Sequence, residues 1–164
     1  MEQQDIDYVI NTHRDFARKP SKAFRKWDGK TPYHIHPIWC ASMIATETTL
    51  DEPTRTEGVQ VLLYHDILED TTKELPEWLS DRVKQLIQMM TYDGMIQEMQ
   101  KIWTTPKEVR LYKLYDKVNN LLDWQQSSVV KTEQYKEYTR MLMDDVLKNY
   151  GELNITRIAN AILL

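Results

Sequence analysis

The sequence predicts an all-α fold. Apolar residues recur at three- and four-residue spacing along nearly the whole chain, and no stretch alternates with the period of two that a half-buried strand needs. Only four glycines occur among 164 residues, and neither GxGxxG nor GxxxxGK[ST] is present, which argues against a Rossmann or P-loop protein.

Taken in order, a first helix is expected from about Asp7 to Ala17, with Val9, Ile10 and Phe16 among its apolar positions. A polar loop from Lys19 to Tyr33 follows, punctuated by Pro20, Gly29 and Pro32. Pro37 suits an early helical position, where its missing N–H costs nothing, and Ile38, Ala41, Ile44 and Ala45 continue a helical face behind it. Val59, Leu62, Leu63, Ile67 and Leu68 mark the next helix, ending near Asp70. Pro76 to Met90 reads as one helix or a short pair.

Thr105-Pro-Lys-Glu108 is a capping-box pattern and should open a helix carrying Val109, Leu114, Val118 and Leu121. Thr132 is expected to cap another, through Tyr135, Tyr138, Leu142 and Val146, with Gly151 as its stop. Ile155, Ile158, Ala159 and Ile162 suggest a last short helix. The total is roughly seven helices.

The length suits one domain over residues 1–164, enough to bury a core without disulfides. The single cysteine, Cys40, excludes an intramolecular disulfide and fits a reducing compartment; on an apolar helix face it reads as a core thiol. The N-terminus is too polar for a signal peptide, and no apolar run approaches a membrane span, so a cytoplasmic protein without membrane contact is expected. A net charge of −4 gives no general reason to expect a nucleic-acid partner. Against that background the basic stretch from Arg18 to Lys26 and on to Lys30 stands out. The sequence leaves a homo-oligomer open.

The chemistry concentrates in Tyr64-His-Asp-Ile-Leu-Glu-Asp-Thr71, which places one imidazole and three carboxylates within six residues of an apolar stretch. Burying such a set is costly unless a metal, a partner charge or a hydrogen-bond network compensates. On a helix His65 shares a face with Glu69, and Asp66 with Asp70. Imidazole with carboxylate suits Mn²⁺, Fe²⁺, Co²⁺ or Zn²⁺. Two ligands do not hold a catalytic ion, and His36 and Asp116, each anomalous on an apolar helix, are the candidates to complete it. Alone, His36 reads as a capping residue, and Asp116 as the partner of Lys113 or Lys117 on a solvated face. The joint order, His, then HisAsp, then Asp, each on its own helix, favours ligands.

Three segments carry a resemblance: Gly29-Lys-Thr-Pro-Tyr-His-Ile-His-Pro37, Leu62-Leu-Tyr-His-Asp-Ile-Leu-Glu-Asp-Thr71 and Arg110-Leu-Tyr-Lys-Leu-Tyr-Asp-Lys-Val-Asn-Asn-Leu121. In that order they resemble the HD-domain metal-dependent phosphohydrolases. The similarity is closest to the hydrolase domain of the RelA/SpoT proteins and the stand-alone Mesh1-like small alarmone hydrolases. It spans about residues 10–140, leaving C-terminal helices over about 132–164. HisAsp-x-x-GluAsp-Thr is the discriminating motif.

The resemblance implies an HD-domain helical bundle around one metal site, with His36, His65, Asp66 and Asp116 binding the ion, Mn²⁺ in this family. It implies that Glu69 and Asp70 activate and orient the attacking water, and that Arg25, Lys26, Asn120 and Tyr138 contact a small-molecule nucleotide. The implied reaction removes the 3′-pyrophosphate of (p)ppGpp, giving GDP or GTP and pyrophosphate. Alternatives are another nucleotide, such as a dNTP or NADPH, or a non-catalytic HD domain that binds a nucleotide or a partner.

Beside the resemblance, a pyrophosphate needs positive charge, which Arg25 and Lys26, with Lys30, Lys101 or Lys107, could supply. Tyr135, Tyr138, Tyr150 and Trp124 could stack on a base, although that spacing more often marks core. Tyr115 stands where the family has a small residue, which suggests a bulkier wall beside the metal. Trp39 and Cys40 replace small residues after the HisPro step, and His34 is an extra imidazole in the loop.

Overall fold

The computed structural model describes residues 1–122 and 128–164. Among them are nine α-helical segments: α1 (Gln3–Phe16), α2 (Ile35–Ala45), α3 (Glu52–Tyr64), α4 (Ile67–Asp70), α5 (Asp81–Met90), α6 (Met95–Lys101), α7 (Lys107–Leu122), α8 (Val129–Tyr150) and α9 (Asn154–Leu163). Single 3₁₀ turns occur at Pro20–Lys22 and Ile102–Thr104. The all-α class holds, and the described residues form only two isolated bridges, Ala17 with Thr71 and Phe24 with Pro32.

The helix count exceeds the expected seven for two reasons. The helix expected to run to Asp70 breaks after Tyr64, and α6 is too short to show a periodic face.

The middle of α7 is buried without interruption from Leu111 to Val118, so it has no solvent face. It packs against α2, α3, α5, α8 and α9 and is the axis of the bundle. Close approach is possible at Gly58 of α3, where a Cβ would stand 2.4 Å from Ile44 Cδ1 and 2.7 Å from Tyr112 Cε1. α1 is tied across the top by Asp5, whose Oδ1 accepts from the Tyr64 hydroxyl (2.6 Å) and the Trp78 indole (2.9 Å). Phe16, one of the apolar positions of this helix, is 38% exposed beneath the Lys73 ammonium.

Helix ends differ from the expected caps in two places. Ser128, not Thr132, caps α8, accepting from Lys131 N, while Thr132 lies inside the helix and donates to the Ser128 carbonyl. The Thr105 hydroxyl donates back to the Ile102 carbonyl, and α7 starts after Pro106, whose carbonyl takes the first helical N–H groups. Gly151 ends α8 as expected, at φ 75°, a left-handed value that glycine adopts without strain.

Candidate metal centre and cavity

The break after α3 shapes the site. His65 keeps helical dihedrals, Asp66 turns away at φ −92° and ψ −5°, and α4 restarts at Ile67. The Asp70 N–H still donates to the Asp66 carbonyl at 2.8 Å, so the expected i, i+4 relation is kept, although the two carboxylates face neighbouring spaces. Asp66 lines a cavity of about 310 Å³, whereas Asp70 lines an adjoining basin and pairs with Lys22 Nζ at 2.6 Å. Glu69 lines both.

Three elements bring the ligand candidates together. α2 presents His36, the α3–α4 turn presents His65 and Asp66, and α7 presents Asp116, all buried. The two imidazole Nε2 atoms are 3.1 Å apart. Asp66 Oδ2 lies 3.4 Å from His36 Nε2 and 3.3 Å from His65 Nε2, and Asp116 Oδ1 lies 3.4 and 3.8 Å from the same atoms. His36, His65 and Asp116 each offer a ligand atom within 4.8 Å of the others and could hold a metal ion.

The outer ring nitrogens fix the tautomers. His65 Nδ1 lies 2.8 Å from the Leu62 carbonyl, which can only accept. His36 Nδ1 lies 2.6 Å from Asn119 Oδ1, an oxygen that also accepts from Arg25. Both Nδ1 atoms therefore carry the proton, and both Nε2 lone pairs point inward at each other. Two facing lone pairs ringed by carboxylates repel unless a cation or a proton sits among them. Burial alone would push His65 down, but Asp66 and Asp116 reverse that and lift it to about 9. The residues present fit a divalent cation.

The second layer is charged as well. The Tyr33 hydroxyl donates to Asp66 Oδ2 (2.9 Å), and its ring packs against His13 and His36. Asn120 donates to Asp116 Oδ1 (2.6 Å). Lys113 and Lys117 are buried, each 3.1 Å from Asp116 Oδ2, and both reach Glu98 of α6. Burial opposes ionisation of Asp116, yet Lys117 and Lys113 hold its carboxyl well below the usual range. Burial and then Asp66 push Glu69 up to about 7.

No protein-family model matches the sequence, and no curated protein matches it. Among solved structures, a metazoan ortholog of SpoT, described as hydrolysing ppGpp and playing a role in starvation responses, matches with a TM-score of 0.74 at 19% identity. The match covers 97% of this chain and 91% of that one. The chain has the fold of a SpoT ortholog.

Within this SpoT-type fold, Arg25, Lys26 and Asn120 line the same cavity as Asp66, Glu69 and Asp116. Arg25 is buried, donates to Asn119 Oδ1 (3.2 Å) and Asn120 Oδ1 (3.3 Å), and stacks over Tyr33. Tyr138 does not line the cavity; it is fully buried edge-on to Trp103, and Tyr135, one helical turn earlier on α8, lines it instead. Tyr150 sits beneath Lys107, away from the cavity, and Trp124 lies outside the described residues. Neither Lys30, Lys101 nor Lys107 lines the cavity.

Tyr115 does not build a wall beside the ligands, because its hydroxyl reaches away to Glu47 (3.0 Å). Cys40 is a fully buried thiol against the Tyr115 carbonyl, and Trp39 and His34 are half-buried outside the cavity lining. Sequence reasoning missed Glu98, Asn119, Tyr33 and Lys22. The pairing of Asp116 with Lys113 and Lys117, weighed from sequence as a solvated helix face, is present but buried. Their uninterrupted apolar flanks, Leu111-Tyr112 and Leu114-Tyr115 with Val118, were the available sign that the helix is buried all round.

Proposed function

We propose that residues 1–164 act as a metal-dependent nucleotide pyrophosphohydrolase that removes the 3′-pyrophosphate of (p)ppGpp. The products are GDP or GTP and pyrophosphate. The supporting observation is the pair of facing Nε2 atoms 3.1 Å apart, joined by Asp66 and Asp116 at the wall of a cavity that Arg25 and Lys26 also line. The neighbour described as hydrolysing ppGpp supports the same reading.

His36, His65, Asp66 and Asp116 would hold the ion, with Mn²⁺ the first candidate and Zn²⁺, Co²⁺ or Fe²⁺ compatible with the same donors. When bound, a divalent cation lowers the pKa of water and polarises a phosphoryl oxygen. Glu69, facing the cavity with its carboxyl lifted to about 7, accepts the proton from the attacking water. Asp70 acts from the adjoining basin, where Lys22 fixes one of its oxygens. Arg25 presents a guanidinium pre-organised by Asn119 and Asn120, and Lys26 adds an exposed charge, together suited to phosphate oxygens. Asn120 binds Asp116 and so couples the nucleotide side of the cavity to the metal side. Tyr135 offers the aromatic face expected of Tyr138. Among the described residues no helix is long and apolar enough to cross a membrane.

The test is turnover of ppGpp by the purified chain with Mn²⁺, alongside a dNTP panel and NADPH. Release of pyrophosphate from ppGpp, lost in Glu69→Gln, is expected. Turnover of a dNTP or NADPH with ppGpp left intact would reassign the substrate, and no turnover of any nucleotide would reject the enzyme.

A further inference from the structure

The proposed reaction leaves one cluster on the cavity wall without a role. Lys113 and Lys117 are 2% and 7% exposed, and both point their ammonium groups at the same oxygen, Asp116 Oδ2, at 3.1 Å. The other oxygen, Oδ1, faces the histidines. Two buried ammoniums against one carboxylate would leave an uncompensated positive charge in contact with a candidate ligand, and such a charge acts strongly where water is excluded. Glu98, 4% exposed and supplied by α6, removes the imbalance. Its Oε2 lies 3.2 Å from Lys113 Nζ and its Oε1 lies 2.9 Å from Lys117 Nζ. The cluster then holds two positive and two negative charges. Tyr92 and Tyr135 cover the ammoniums with their rings, at 5.5 and 5.6 Å, so no other anion is needed there.

We propose that Glu98 is a positioning residue for the metal centre: by sharing Lys113 and Lys117 with Asp116, it leaves that carboxylate enough negative charge to hold a divalent cation through Oδ1. The proposal rests on reading His36, His65, Asp66 and Asp116 as a metal centre. It also gives α6 a function, since this short helix delivers the balancing charge from a part of the chain remote from the ligand motifs.

The sign of the effect separates this role from simple packing. Mn²⁺ is titrated calorimetrically into the metal-stripped full chain, for the wild type, Glu98→Gln, Lys117→Met and the double variant, each checked for helical content. Glu98→Gln weakens Mn²⁺ binding by about tenfold or more, the scale of outer-layer partners at metal sites. Lys117→Met, which removes the opposing charge, tightens it. The double variant returns to within about threefold of wild type, because the charges balance again. Unchanged affinity in Glu98→Gln, or a double variant as weak as the single, overturns the proposal. If Glu98→Gln does not fold, Lys117→Met decides, and failure to tighten is the refuting result. Failure of the wild type itself to bind Mn²⁺ removes the metal-centre reading and this proposal with it.

Discussion

Tyr115 and Asp116 are neighbours on α7, and each leads to a buried carboxylate site of opposite character. On one side the Tyr115 hydroxyl donates to Glu47 Oε1, which also accepts from Ile155 N, while Asn154 N donates to Oε2, each at 3.0 Å. Neutral donors at the start of α9 fill the acceptors of Glu47, and the helix dipole adds to them. On the other side, Asp116 and Asp66 face two imidazoles whose Nδ1 protons are committed outward and whose Nε2 atoms meet at 3.1 Å. The first site is closed by its own hydrogen bonds; the second brings two ring nitrogens face to face between carboxylates, a gap that a proton or a divalent cation fills. A buried carboxylate thus marks a candidate ligand site by the ring nitrogens it faces, not by its burial alone.

The sharpest way to break this comparison is to neutralise one carboxylate on each side. Asp66→Asn should abolish Mn²⁺ binding and lower kcat by at least about 10³-fold, since a bound cation is worth several kcal/mol in the transition state. It should leave the thermal midpoint of the metal-free protein almost unchanged. Glu47→Ala should do the reverse, costing about 3 kcal/mol in denaturant unfolding by stranding the Tyr115 hydroxyl and two α9 N–H groups, with Mn²⁺ affinity intact. If both variants lose stability and neither loses metal, the two sites are of one kind.

Glu69→Gln sharpens the contrast inside the cavity. It should lower kcat by about 10²-fold while Mn²⁺ binds as in the wild type, because Glu69 handles a proton and is not a ligand. Steady-state rates paired with a metal titration separate the two roles.

A pH-dependent effect concerns His13, packed 5.1 Å from the Tyr33 ring behind the ligands. Burial, opposed by Asp66, lowers it from 6.5 to about 4. The unfolded chain therefore binds more protons than the folded one between those values. Stability falls as pH drops from 6.5 towards about 4 and levels below it. Subtracting the pH profile of His13→Gln from that of the wild type should isolate this slope, and a flat difference would show that His13 titrates alike in both states.

Local pattern announced much of this molecule. Pro37, Gly151 and the apolar periodicities placed their helices because each acts on its own few residues. The motif segments brought His36, His65, Asp66 and Asp116 into one cluster. What stayed hidden depended on contacts across the fold. Lys113 and Lys117 flank Asp116 at spacings that read as a solvated face, and only the partners packed around α7 and the distant Glu98 make them buried. The turn at Asp66 has no glycine or proline to announce it, and the pairing with Lys22 that faces Asp70 to the basin beside the cavity is set by the fold. Tyr135 and Tyr138 lie one turn apart, and the direction in which α8 faces α7 decides between them.

The central claim, that His36, His65, Asp66 and Asp116 form one metal centre, is tested most directly by anomalous diffraction from crystals soaked in Mn²⁺. The account predicts one anomalous peak per chain, within ligand distance of His36 Nε2, His65 Nε2 and the oxygens of Asp66 and Asp116. A peak elsewhere, or none at these four residues, would contradict it.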